Sequence, residues 1–293
     1  LAAAAAGFLG VPLQQVEELL QRMIEENTVT ADELDGRCFV FSPAMHRSEV
    51  YCAGRLLMLL RYPPQSITGI EREVELIEAS RGIQYAEMQK KAITDALAKG
   101  MLILTGGPGT GKTTTLNAII EILEKKGERV YLAAPTGRAA QRMSELTGKE
   151  AKTIHRLLEV AWDEQDKPVF TKNERDLLDC DALIVDELSM VDVTVFEGLL
   201  RALPLGCRLV LVGDCDQLPS VGPGNVLGDL IASGRFPVVQ LTEIFRQSMQ
   251  SLIVTNAHRI VQGEMPLLDV RNNDFFFLPC PDPREISATI VDL

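Results

Sequence analysis

Residues 101–115, Met-Leu-Ile-Leu-Thr-Gly-Gly-Pro-Gly-Thr-Gly-Lys-Thr-Thr-Thr, constrain the fold more than any other stretch of the chain. Met101 to Leu104 is an apolar run short enough for a buried strand. It leads into Gly106-x-x-x-x-Gly111-Lys112-Thr113, a phosphate-binding-loop pattern. Beyond it, Leu116, Ile119, Ile120 and Leu123 recur at helical spacing. Strand, glycine loop and helix, in that order, are the setting such a loop needs. The glycines let successive backbone N–H groups turn inward around an anion, and the next helix adds its positive N-terminal end. The predicted cradle is Gly107, Pro108, Gly109, Thr110, Gly111, Lys112, Thr113 and Thr114. Lys112 supplies a point charge to β- and γ-phosphates, and the Thr113 hydroxyl can ligate Mg²⁺.

The pattern continues as alternating strands and helices. Leu102–Leu104, Val130–Ala133, Leu183–Val185, Leu209–Val212 and Val238–Leu241 read as strands with helices between them. That alternation predicts an α/β fold with a parallel sheet covered on both faces. In such a sheet the loops after the strands gather at one edge.

Those loops carry the remaining chemistry. Asp186-Glu187 closes the strand Leu183-Ile184-Val185. Beside a phosphate loop, this pair reads as a metal-holding Asp186 and a Glu187 that positions and deprotonates water. A glutamate there favours hydrolysis over phosphoryl transfer to a small substrate, which weighs against a P-loop kinase. Gln217, in Gly213-Asp214-Cys215-Asp216-Gln217-Leu218-Pro219-Ser220, can donate its amide to a γ-phosphate or orient water. Ala134-Pro135-Thr136-Gly137-Arg138-Ala139-Ala140 is a tight turn into a helix, with Thr136 as its cap. Thr153-Ile154-His155-Arg156 has the same look. Capped helix starts of this kind suit backbone phosphates of a nucleic acid, which makes Pro135, Thr136, Gly137, Arg138, Thr153 and His155 candidate contacts. Arg246 lies beyond the last strand, where an arginine from a neighbouring domain can reach a γ-phosphate.

Composition adds exclusions. The net charge of −12 argues against nucleic-acid binding as a global property, though not against a local basic groove. Six cysteines without a Cys-x-x-Cys pair read as reduced thiols of a cytoplasmic protein. No apolar stretch approaches the roughly 20 residues of a membrane helix, and Leu1 to Gly10 lacks the basic start of a secretory signal.

The flanks are less explicit. Val16, Leu19, Leu20, Met23 and Ile24 form an apolar helical stripe. Asp35-Gly36 marks a turn before the strand-like Cys38–Phe41. A second helix is expected from about Arg47 to Leu60 with Val50, Ala53, Leu57 and Leu60 inward. This helix–hairpin–helix order fits a winged-helix module as well as other small α+β units. Glu159 to Thr171, with Trp162 and Lys167-Pro168, reads as a hairpin that either splits strands or is a plain surface feature. Leu252 to Val261 reads as a helix and Phe275 to Leu278 as the start of a new strand.

Taken in order, Gly-Gly-Pro-Gly-Thr-Gly-Lys-Thr, Ala-Pro-Thr-Gly-Arg-Ala-Ala, Thr-Ile-His-Arg-Leu-Leu, Val-Asp-Glu-Leu-Ser-Met, Gly-Asp-x-Asp-Gln-Leu-Pro-Ser-Val-Gly and Phe-Arg-Gln resemble helicase motifs I, Ia, Ib, II, III and IV. The chain resembles RecD-like DNA helicases of superfamily 1, the branch that moves 5′ to 3′. The resemblance is close over about 80–262 and looser over 11–62. It implies a RecA-like P-loop NTPase sheet and a helical, winged-helix-like N-terminal domain over 1–64. A helical linker follows at 65–97, then a first RecA-like domain at 98–243 and the beginning of a second at 244–293. Motifs V and VI do not follow, so the second domain is expected to be incomplete. Gln89 would be the Q-motif residue that reads adenine. The implied activity is ATP- and Mg²⁺-dependent translocation on single-stranded DNA, with unwinding at duplex junctions during repair or recombination. Recombination nuclease subunits are candidate partners. The alternative is a non-motor ATP-binding regulatory subunit of a recombination nuclease complex.

Overall fold

The computed structural model describes residues 1–34, 36–162, 168–245, 250–270, 273–275, 277–280 and 282–292. Helices α1 (Ala2–Leu9) and α2 (Leu13–Glu25) lead to a hairpin of β1 (Thr30–Leu34) and β2 (Arg37–Phe41). Next come α3 (Pro43–Arg61), α4 (Ile70–Arg81) and α5 (Glu87–Lys99). The phosphate-loop unit is β3 (Met101–Gly106) and α6 (Lys112–Lys125), followed by β4 (Val130–Ala134) and α7 (Gly137–Thr147). Then follow β5 (Ala151–Thr153), α8 (Ile154–Leu157) and an antiparallel hairpin of β6 (Val160–Trp162) and β7 (Pro168–Phe170). After these stand β8 (Ala182–Val185), a 3₁₀ turn at Leu188–Met190, α9 (Val193–Ala202) and β9 (Arg208–Gly213). The chain continues through α10 (Val226–Ala232), β10 (Val238–Leu241), α11 (Leu252–Val261) and α12 (Pro283–Asp292).

The main sheet has six strands in the order β10-β3-β9-β8-β4-β5, and every pairing in it is parallel. This is the α/β parallel sheet that the alternation of apolar runs predicts. The strands β3, β8 and β9 are buried along their whole length, as strands covered on both faces must be. Successive side chains point to opposite faces. Met101, Ile103, Leu183, Val185, Leu209 and Leu211 meet α9 and part of α3 on one face. Leu102, Leu104, Ile184, Val210 and Val212 meet α4, α5 and α6 on the other. Leu116, Ile119, Ile120 and Leu123 of α6 are all buried, as their spacing predicts.

Two flanking expectations are corrected. Helix α3 turns Ser48, Cys52, Leu56 and Leu59 inward, while Val50 and Leu57 are more than half exposed. Both stripes are largely apolar, and α9 decides between them. The Glu197 carboxylate accepts a bond from Ser48 Oγ at 2.5 Å, and the carbonyls of Leu200 and Leu203 accept from Arg55 at 3.3 and 2.5 Å. Helix α2 has its predicted stripe but buries none of its residues, so amphipathic periodicity here does not mark a core. No strand forms at Phe275, Phe277 or Leu278, and Phe276 lies outside the described residues. A strand needs a neighbour for its N–H and C=O groups, and the described residues offer none there. The turn residue Asp35 and the hairpin-tip residue Lys167 also lie outside the described residues. No described helix is long and apolar enough to cross a membrane.

Candidate functional site

The C-terminal ends of the parallel strands form one rim, and the sheet order sets the order of sites along it. The phosphate loop follows β3. Its neighbours are the Gly213–Ser220 loop after β9, Asp186-Glu187 after β8, the Pro135–Arg138 turn after β4 and Thr153 at the end of β5. The phosphate loop and the acidic residues lie toward one end of the rim, and capped helix starts occupy the other.

The phosphate loop is closed on itself. Lys112 Nζ donates to the carbonyls of Gly106 at 2.5 Å and Gly107 at 3.1 Å. Thr110 Oγ1 donates to Gly107 O at 2.9 Å and is buried, which leaves the backbone N–H of Thr110 as its contribution to an anion. Gly111 sits at φ 84°, where a Cβ would stand 2.5 Å from Gln89 Nε2 and 2.6 Å from the Phe245 ring. Only glycine fits that position.

Gln89 is 2% exposed at the start of α5. Its Oε1 accepts from Ala86 N–H at 3.0 Å, and its Nε2 donates to Gly111 O at 3.2 Å. It therefore ties α5 to the loop through both ends of its amide. The motif pattern gives no sign of that tie. Phe245 N–H donates to Gly109 O at 3.3 Å, so the segment after β10 folds back onto the loop. The neighbouring Arg246 lies outside the described residues.

Asp186 and Glu187 end β8 beside this loop. Asp186 N–H donates to Ala133 O at 2.9 Å, and Asp186 Oδ1 accepts from Glu187 N–H at 2.8 Å. Burial pushes the Asp186 carboxyl up from its ordinary pKa, against the Glu187 N–H and the charges of Lys112 and Arg142. Burial also raises Glu187, and the adjacent Asp186 charge adds to it. Glu187 itself stands at φ 55°, in the left-handed region that a glutamate seldom takes. Such a residue costs on the order of 1–3 kcal/mol and persists where its surroundings hold it.

The donor set fits a divalent cation. Among the described residues, Asp186 accepts only through Oδ1, so Oδ2 is free to bind. A bound cation would also favour the ionised carboxylate that burial disfavours. Thr113 opens the helix just after Lys112, with its side chain half-buried.

Asp214, a fixed position of the same motif, holds Gln217 and adds its charge to that of Asp186 on Glu187. Asp214 is 3% exposed; it accepts from Asp216 N–H at 3.0 Å and, more loosely, from Gln217 Nε2 at 3.5 Å. Gly107, Pro108, Asp214, Asp216 and Gln217 share a cavity of about 220 Å³ with Ala257, His258 and Val261 of α11. His258 has no motif to announce it. Arg142, on α7, acts on both rim carboxylates by charge and was likewise unmarked. A larger cavity of about 350 Å³ lies off the rim, lined in part by Glu124, Tyr131, Lys149 and Lys152. Lys149 and Glu124 pair there at 2.8 Å.

At the far end, Thr136 Oγ1 accepts from Ala139 N–H at 3.2 Å and Thr153 Oγ1 from Arg156 N–H at 3.1 Å. Both are the caps expected from sequence. Gly137, Arg138 and His155 are exposed, and Pro135 is half-buried. The His155 ring lies 5.8 Å from Phe170 of the β6–β7 hairpin, whose Trp162 is 68% exposed.

A family model described as an AAA domain matches residues 89–223. The ATP-dependent RecD2 DNA helicase of Deinococcus radiodurans is 37% identical over 227 residues, covering 78% of this chain and 30% of that protein. The RecBCD enzyme subunit RecD of Mycolicibacterium smegmatis is 42% identical over 168 residues, covering 50% of this chain and 30% of that protein. The chain thus spans about 30% of the length of these curated relatives. A crystal structure of Pif1 helicase from Candida albicans is 25% identical with a TM-score of 0.46, covering 63% of this chain and 45% of that one. The fold assignment rests on the strand order of the sheet. The span matched by the family model holds the phosphate loop, Asp186, Glu187 and Gln217, and over most of its length the chain is similar to RecD-type DNA helicases.

Proposed function

We propose that the chain binds Mg²⁺-ATP at the β3 end of the rim and hydrolyses it to drive movement along single-stranded DNA held at the β4–β5 end. One observation carries this reading. A single run of parallel strands sets Lys112, Gln217, Asp186-Glu187, the Thr136 cap and the Thr153 cap side by side, in that order.

Lys112 would leave the Gly106 and Gly107 carbonyls for the β- and γ-phosphates. Thr113 and Asp186 would hold Mg²⁺, whose charge stabilises the phosphoryl oxygens. Glu187 would take the proton of the attacking water, and Gln217 would orient that water or the γ-phosphate. The phosphate nest is completed by the backbone of Gly107, Pro108, Gly109, Thr110, Gly111 and Thr114. Gln89, against Gly111, would meet adenine by exchanging its present bonds to Ala86 N–H and Gly111 O. Arg246 would add charge at the γ-phosphate. Pro135, Thr136, Gly137, Arg138, Thr153 and His155 would meet the DNA backbone, with Trp162 on its hairpin at a duplex junction. The domain scheme would be residues 1–64, 65–97, 98–243 and 244–293. Work on DNA, in repair or recombination, would place the protein in the cytoplasm, and recombination nuclease subunits are candidate partners.

The test is ATP hydrolysis with and without single-stranded DNA. The reading predicts Mg²⁺-dependent turnover that single-stranded DNA stimulates. Nucleotide binding without any stimulated turnover would favour a non-motor role.

A further inference from the structure

The phosphate loop has a neighbour that no motif assigns. Lys112 Nζ marks the end of the cradle where β- and γ-phosphates lie, because that is the charge this lysine neutralises. It now bonds Gly106 O and Gly107 O. His258 of α11 packs on that same end. A Cβ on Gly107 would stand 2.7 Å from His258 Cε1, and His258 Nε2 lies 3.1 Å from Pro108 O. A carbonyl only accepts, so Nε2 carries the hydrogen and donates it. His258 also walls the cavity that Gln217 and Asp214 line from the other side.

The helix that presents His258 is held firmly. Ser251 Oγ caps Val254 N–H at 3.2 Å, and Asp274 Oδ1 accepts from Leu252 N–H at 2.7 Å and Ile253 N–H at 3.2 Å. Asn256, 3% exposed, accepts from Leu267 N–H at 2.7 Å and donates to Leu267 O at 3.1 Å. A fixed N–H donor therefore faces the far-phosphate end of the loop.

We infer that His258 is a γ-phosphate-binding residue, whose Nε2–H exchanges the Pro108 carbonyl for a γ-phosphate oxygen when a nucleoside triphosphate is bound. This rests on the nucleotide reading of the phosphate loop. A charged phosphate oxygen is a stronger acceptor than a neutral carbonyl, so the exchange favours the triphosphate. Adenosine diphosphate has no γ-oxygen and gains nothing from it. His258 would then distinguish the two nucleotides and pass the difference to α11.

Fluorescence titration of Mg²⁺-ATP and Mg²⁺-ADP tests this on the chain and three variants: His258→Ala, His258→Gln and Lys112→Ala. His258→Ala should weaken ATP about tenfold, as expected for a lost hydrogen bond to a charged group, and ADP less than about twofold. His258→Gln keeps an N–H donor and should recover most of the ATP preference. Lys112→Ala should weaken both nucleotides. Unchanged or tighter ATP binding by His258→Ala would overturn the assignment. So would an equal loss for ATP and ADP, or a His258→Gln variant as weak as His258→Ala. Unaltered binding by Lys112→Ala would instead defeat the phosphate-loop reading itself.

Discussion

The two rims of the same sheet are built on opposite plans. At the N-terminal ends of β4, β8 and β9, charged side chains satisfy one another. Arg208 is 1% exposed, yet it bonds Glu128 at 3.0 Å, Leu97 O at 2.6 Å and Gln65 O. Arg129 next to it bonds Asp181 at 3.0 Å and also pairs with Asp179. At the C-terminal ends, Asp186 and Glu187 stand side by side, half-buried and with raised pKa values, and Glu187 holds a left-handed backbone. Lys112 is bonded to carbonyls of its own loop. One rim pairs its charges with one another, whereas at the other, among the described residues, Lys112, Asp186 and Glu187 form no salt bridge. Perturbed, strained groups gather where chemistry is done.

The largest expected effect tests the reactive rim. Glu187→Gln removes the proposed base and keeps the shape. ATP hydrolysis should fall roughly a hundredfold or more, with ATP binding retained. Near-normal turnover would remove Glu187 from the mechanism.

The next tests the structural rim. Arg208→Ala leaves Glu128 and two backbone carbonyls without their buried partner. Breaking a buried pair costs about 3–5 kcal/mol, so thermal unfolding should shift well downward. Nucleotide affinity below the new transition should stay unchanged. A loss of affinity with no loss of stability would erase the distinction between the rims.

A smaller effect belongs to the β4 end of the reactive rim. Thr136→Ala deletes the cap on Ala139 N–H and should cost about 1 kcal/mol, read from denaturant unfolding. If Thr136 also meets DNA, stimulation of hydrolysis by single-stranded DNA should weaken while basal turnover holds.

The smallest effect is a pH dependence on the structural rim. The Arg129 guanidinium and N–H beside Asp181 hold its carboxyl below the usual range. A depressed folded value stabilises the protein above the unfolded pKa, about 3.9, and the gain is lost as pH falls through the folded value. Asp181→Asn should therefore unfold more easily than the parent at neutral pH, and the two should converge in acid. A gap that persists below both values would mean that the charge is not its cause.

The sequence made much of the sheet legible because buried parallel strands are continuous apolar runs, as at Leu102–Leu104 and Leu209–Val212. The capped turns at Thr136 and Thr153 were readable for a similarly local reason. What it concealed depends on partners distant in the chain. The edge strand Ala151–Thr153 is short and carries Lys152, so it has no apolar signature. The inward face of α3 is set by Glu197, far along the chain. Arg208 reads as a solvated charge until Glu128, Leu97 and Gln65 close around it. His258 reads as one histidine in an amphipathic helix until α11 folds back over the phosphate loop.

The central claim is that the C-terminal rim is a nucleotide site whose charges are now held internally. A structure determined with Mg²⁺ and a non-hydrolysable ATP analogue tests it most directly. The account predicts the triphosphate in the Gly107–Thr114 loop, Lys112 Nζ moved from the Gly106 and Gly107 carbonyls to phosphate oxygens, and the cation between Thr113 and Asp186. An analogue bound elsewhere, such as the cavity beside Tyr131 and Lys149, or a Lys112 still bonded to its own loop, would contradict it.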